Sequence, residues 1–225
     1  MDTNSMRLAK PMLARVAPFA LYIAIMASSG FLADAGLDIR WIYAVRVGGT
    51  ALLLWYFSGD YHELTWSKRL DINHVLIAVF AGLLVFVLWI SLNQDWMMFG
   101  KSAGYDPRMA NGELNHWMVV IRLAGAALVV PVMEELFWRS FIMRWLDAAD
   151  FIEVSPINVT VRALFISSLV FAIEHTFWLA GLVAGLVYGL LYIRTQNLWV
   201  AIIAHAVTNA MLGLWVLYTG RWNYW

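Results

Sequence analysis

Long apolar runs, separated by short polar ones, fill this chain. A helix needs about 20 mostly apolar residues, with a range of roughly 17–25, to cross the hydrocarbon core of a bilayer. Residues 16–33, 41–57, 75–92, 117–132, 162–178, 179–193 and 198–217 come close to that requirement and predict seven spans, 179–193 being short. Only a tight turn can separate the fifth from the sixth. Residues 134–146 fit less cleanly. They are apolar apart from Glu134, Glu135, Arg139, Ser140 and Arg144, and they leave room for an eighth span. The expected fold is all-α, a polytopic transmembrane helical bundle of about seven to eight spans. The longest connections, residues 93–116 and 147–160, are too short for a second domain, so residues 1–225 are expected to form a single integral membrane domain. No internal repeat or low-complexity segment is visible. Gly181, Gly185 and Gly189 recur every four residues, which puts them on one helix face where another helix can approach closely.

Composition agrees with the pattern. Apolar residues make up 62% and charged residues 13%, against roughly 45–50% and about 25% in soluble domains. A water-soluble globular domain, a disordered chain and a coiled coil are excluded. Lys+Arg and Asp+Glu number 15 each, which removes the electrostatic case for a nucleic-acid partner. The absence of cysteine rules out disulfides, thiolate metal sites, a Cys nucleophile and S-acylation or prenylation of the chain itself. Thirteen Trp suit a protein with two membrane–water interfaces. Arg7, Lys10 and Arg15 precede the first apolar run, and Ala33-Asp34-Ala35 has the form of a cleavage site. That run is longer than the roughly 7–15 residues of a signal-peptide core. An uncleaved first span with a cytoplasmic N-terminus is expected. Lys68, Arg69, Arg144 and Arg194 then fall on the cytoplasmic side, and Lys101, Arg108 and Arg221 on the other.

Charged groups at membrane depth cost at least about 2.5–3.5 kcal/mol each on insertion scales, so they face a protein interior and mark function by default. Glu134 and Glu135 follow Pro131, and Arg139 stands one turn beyond Glu135 in the favourable order for an ion pair. Glu134 is out of step with Arg139 and is expected to be free to exchange protons. His175 closes the fifth run beside Glu174, which is expected to face elsewhere. His205 and Asn209 share a face of the last span. A structural ion pair, a hydrogen-bonded core histidine and an interhelical amide bond are the competing readings of the three sets taken singly. Together, two Glu, an Arg, two His and an Asn on three apolar segments are the groups needed to activate a water and hold an oxyanion. Arg46 and Arg122 are expected to be structural or interfacial, with Arg122 the better placed to meet an inner carboxylate. No H-E-x-x-H string occurs.

The ordered set Glu134-Glu135-x-x-x-Arg139, Phe171-x-x-x-His175 and His205-x-x-x-Asn209 resembles the signature of the CAAX-protease and bacteriocin-processing (Abi, or CPBP) intramembrane proteases. The resemblance covers about residues 117–217, the expected catalytic half. Residues 171–185 and the tail from Trp199 to Trp225 are similar to the branch that accompanies bacterial exosortase sorting systems. It implies a hydrolase of the bacterial inner membrane acting on a membrane-associated protein, with an exosortase system as a partner. Glu134 would be the general base, and His175 would hold or polarise the water. His205 and Asn209 would stabilise the oxyanion, with Glu135, Arg139 and Phe171 in support. Zinc on Glu134, His175 and His205 is the metal-dependent alternative for this family, but Asn is a poor zinc ligand and a base–oxyanion division uses all six polar residues, so no cofactor is favoured. Two other functions fit the same chain: a non-proteolytic membrane protein of this fold, such as an immunity or scaffolding factor, and a proton-coupled transporter.

Overall fold

The structure is a computed structural model that describes residues 3–65, 70–102 and 104–225. Lys68 and Arg69, assigned above to the cytoplasmic side, lie outside the described residues. Among the described residues seven principal helices follow one another: α1 (Thr3–Asp34), α2 (Ile39–Tyr56), α3 (Ile72–Ser91), α4 (His116–Trp145), α5 (Val161–Ile173), α6 (Trp178–Thr195) and α7 (Leu198–Thr219). Among the described residues five are long and apolar enough to cross a membrane: Lys10–Asp34 of α1, α3, α4, α6 and α7. Their outer faces carry exposed Phe31, Phe80, Leu128 and Leu214, as a lipid-facing surface requires.

Short polar residues set the helix starts. Asp71, Asn115, Thr160 and Asn197 each accept a hydrogen bond from a backbone N–H in the first turn of α3, α4, α5 and α7. Between α6 and α7 the chain reverses within two residues, because Gln196 adopts the left-handed conformation (φ 53°) and Asn197 at once caps the next helix. The expected span 162–178 is shorter than its hydropathy suggests. Helix α5 stops at Ile173, the backbone N–H of His175 turns back to the Ala172 carbonyl at 3.0 Å, and α6 starts at Trp178.

Side-chain pairs give each helix its direction. Leu164, Ser168 and Ala172 of α5 meet Gly189, Gly185 and Gly181 of α6, so the two are antiparallel, and the three glycines remove the Cβ atoms that would hold them apart. Arg15 and Phe19 of α1 meet Ser140 and Phe137 of α4, also antiparallel. The chain therefore weaves up and down. The N-terminal ends of α1, α3, α5 and α7 share one end of the bundle with the C-terminal ends of α2, α4 and α6.

The segment around Pro131 resolves the ambiguous stretch 134–146. It continues the preceding span as one helix of 30 residues, His116–Trp145. Two π-helical stretches, Gly125–Val129 and Leu136–Ile142, interrupt it. The first has a clear cause. The N–H of Val130 bonds to the Gly125 carbonyl, five residues back. The same spacing would pair Ala126 with Pro131, which has no N–H to give. The Ala126 carbonyl is thus left for a partner outside the helix.

Candidate active site

Glu134 and Glu135 lie between the two π-helical stretches, where α4 passes α7. Glu135 is fully buried. Its Oε2 pairs with Arg139 Nε at 3.1 Å, as the spacing predicted, and its Oε1 is 2.8 Å from His205 Nδ1, a partner the spacing could not reveal. A carboxylate only accepts, so Nδ1 carries the proton. His205 Nε2 then faces Glu134, at 3.9 Å from Oε2, too far for a hydrogen bond. Glu134 Oε2 is buried and, among the described residues, takes no hydrogen bond. Glu135 is engaged by Arg139 and His205, whereas Glu134 makes no hydrogen bond through Oε2.

The remaining residues are held from behind. His175 Nδ1 donates to the Phe171 carbonyl at 2.8 Å, so its Nε2 offers a lone pair to the cavity when the ring is neutral. The Phe171 ring in turn lies under the Arg139 guanidinium at 4.4 Å. Asn209 Nδ2 donates to the Ala126 carbonyl at 2.8 Å, filling the vacancy that Pro131 creates. Among the described residues the second hydrogen of that amide and its oxygen have no partner. Tyr188 stacks on His205 with centroids 5.0 Å apart, and its hydroxyl donates to Thr208 Oγ1 at 2.7 Å. Tyr188 and Thr208 escaped the sequence reading. The signal was thin: a tyrosine inside a glycine-rich span and a threonine between His205 and Asn209.

Glu134, His175, His205 and Asn209 all line one cavity of about 230 Å³. Glu174 lines it too, which corrects the expectation that it faces elsewhere. The cavity runs from mid-bundle toward the end formed by the C-termini of α3, α5 and α7, where Trp89, Tyr224 and Trp225 close around it. Glu135 and Arg139 stay behind the wall. The expectation that Arg122 meets an inner carboxylate fails. Its guanidinium lies over the Tyr43 and Tyr105 rings, at 4.3 and 5.2 Å, and pairs with no carboxylate among the described residues. Among the described residues no three His, Asp or Glu side chains converge closely enough to hold a metal ion. Glu134, His175 and His205 therefore share a cavity without forming a ligand set.

Comparison with known families adds one finding. Residues 116–211 match the family model of the type II CAAX prenyl endopeptidases, Rce1-like. The match spans the three motifs and bears out the resemblance that they carry. The matched family is one of proteases, and with the apolar helices it makes this an integral membrane protein. No curated protein and no solved structure matches the chain.

Proposed function

We propose that this chain is an intramembrane endopeptidase that cleaves a membrane-associated protein or peptide with a water activated by Glu134. The observation that carries the reading is the single cavity shared by Glu134, His175, His205 and Asn209. Glu134 takes a proton from the water at its open Oε2, while the His175 Nε2 lone pair accepts the water's other hydrogen and aims the oxygen. The hydroxide adds to the scissile carbonyl. The free N–H of Asn209 and, when the His205 ring carries both protons, its Nε2–H stabilise the oxyanion. Glu134 returns its proton to the leaving amine as the tetrahedral intermediate breaks down. Glu135 fixes the tautomer and direction of His205, and Arg139 anchors Glu135.

No step is routed through a metal, and none is required by this set of donors. The expected outcome is that chelator-treated protein keeps its activity and that elemental analysis finds zinc well below one per chain. Stoichiometric zinc, with activity restored only by metal, would reverse this. With a cytoplasmic N-terminus the cavity opens toward the far side of a bacterial inner membrane. The residues of residue range 1–225 act as one membrane domain in this reading. Comparative mapping of protein termini in a Glu134→Gln strain against wild type tests it. New termini that vanish in the variant identify the substrate, and identical termini in both strains contradict the proposal. A transporter would need a sealed vesicle, whereas this activity survives in detergent. An immunity or scaffolding factor would tolerate the Glu134→Gln change.

A further inference from the structure

Beside the catalytic cavity lies a second one of about 510 Å³, lined by Arg46, Arg122, Ser102, Gly104 and Tyr105. Met26, Tyr43, Arg122 and Trp225 belong to the walls of both, so the two spaces adjoin. Arg46 sits over Tyr22 and Tyr43, at 4.4 and 4.9 Å from the ring centroids, and Arg122 lies 4.3 Å from the same Tyr43 ring. Two like charges are thus held within one ring's reach of each other. Among the described residues neither forms an ion pair, and the Nε of each is buried without a hydrogen-bond partner. The other internal arginines are neutralised or bonded: Arg15 by Glu63, Arg139 by Glu135, and Arg144 by the Phe151 carbonyl and the Tyr192 hydroxyl. Arg46 and Arg122 stand apart in facing a cavity with donors unused. Aromatic faces attract a guanidinium but satisfy none of its N–H groups.

We infer that Arg46 and Arg122 form an anion subsite that grips a carboxylate of the peptide lying in the adjoining catalytic cavity. The endopeptidase reading enters only in identifying the occupant as a peptide. Depth favours a peptide over a lipid headgroup. Each arginine lies five residues further into the bundle than an exposed tryptophan of its own helix, Trp41 in α2 and Trp117 in α4. At 1.5 Å per residue both lie about 7–8 Å below those interface markers. A carboxylate on a peptide that enters the catalytic cavity reaches this level, and a bidentate guanidinium matches its two oxygens. The carboxylate has two sources, the terminus of the peptide or an acidic side chain near the cleaved bond.

The test measures binding, so it does not depend on turnover. The full-length Glu134→Gln chain in neutral detergent is titrated with a dye-labelled apolar tetrapeptide as the free acid, as the amide, and as the amide with glutamate in the last position, read by fluorescence anisotropy. The free acid or the glutamate peptide is expected to bind at least about 10-fold more tightly than the apolar amide, the scale of a charge-assisted hydrogen-bonded pair. Which of the two does so names the source. In Arg46→Gln and Arg122→Gln that ratio is expected to collapse toward one, and in Arg46→Lys and Arg122→Lys to survive in part. Equal or undetectable binding of acid and amide overturns the inference, as does a preference that persists in the Arg46→Gln, Arg122→Gln double variant. Loss of the preference when phosphatidylglycerol is added to the micelle makes the occupant a headgroup and also overturns it. Carboxylate-selective binding by a wild-type chain that hydrolyses nothing would leave the subsite standing and remove the protease reading.

Discussion

Asn209 has two tasks for one amide. One N–H fills the carbonyl that Pro131 leaves open on α4, and the other N–H is free in the cavity. Asn209→Ala should therefore lower stability by about 1–3 kcal/mol, the cost of an unsatisfied buried carbonyl. It should also lower kcat per folded molecule by about 100- to 1000-fold with KM nearly unchanged, since an oxyanion bond forms only in the transition state. Asn209→Asp, which sets a carboxylate against both the Ala126 carbonyl and the developing oxyanion, should be the worse of the two at neutral pH. Full kcat in the folded fraction of both variants would reduce Asn209 to a packing residue. Glu135 tests the other side of the wall. Glu135→Gln removes the charge that holds Arg139 and His205, and loss of one partner from a buried pair costs about 3–5 kcal/mol. Reduced expression and a lower melting temperature are expected, and a normal melt would argue that the pair carries little stability. The Glu135–Arg139 pair was legible because it lies one turn apart on one helix. The Glu135–His205 bond, the turning of Glu174 into the cavity and the solitary arginines were not, because they depend on how helices distant in sequence rotate against each other.

At the scale of elements, the position of His175 depends on how closely α5 approaches α6. A Cβ on Gly185 would come within 2.9 Å of Ser168 Cβ and 3.0 Å of its Cα, contacts that only a shift of the helix can relieve. Gly185→Ala should cost about 1–3 kcal/mol through overpacking and lower kcat, because α5 ends at the residues that carry His175. Gly48→Ala is the matched control. The added carbon meets nothing within 4 Å there, so it should be neutral or stabilising. Equal effects of the two changes on melting temperature and kcat would contradict this account of the interface. The glycine stripe and most helix positions were readable from period and hydropathy. The continuation of α4 through Pro131 was not, since a proline at the end of an apolar run reads as a stop unless a π-helical stretch absorbs the missing donor.

The whole bundle is clamped at the end opposite the cavity mouth. Arg15, treated by sequence as a flanking cation, is buried there and pairs with Glu63 at 2.6 Å, and Ser140 of α4 donates to the same carboxylate. The clamp ties α1, the turn after α2 and the end of α4 together. Burial alone pushes the Glu63 carboxyl up, but attraction to Arg15 and the bonds from Arg15 and Ser140 outweigh it and hold it below its ordinary value. A carboxyl depressed in the folded state stabilises fully above the unfolded value and loses that contribution as pH falls through the folded one. The melting temperature in detergent should therefore hold from neutral pH down to about 5 and fall below about 4.5, the ordinary value. Glu63→Gln should melt lower at pH 7 and show a shallower acid limb. Parallel acid limbs in the two proteins would place the pH dependence elsewhere.

Everything proposed for the site depends on the open oxygen of Glu134. The measurement that tests it most directly is the rate of peptide-bond cleavage per folded molecule by purified wild-type and Glu134→Gln protein, in detergent and without any ion gradient. Gln keeps the shape of the side chain and cannot take the proton. The account predicts a loss of at least about 100-fold, the usual contribution of a general base, with an unchanged melting temperature because Glu134 Oε2 has no hydrogen bond to lose. Cleavage by Glu134→Gln at close to the wild-type rate would contradict it.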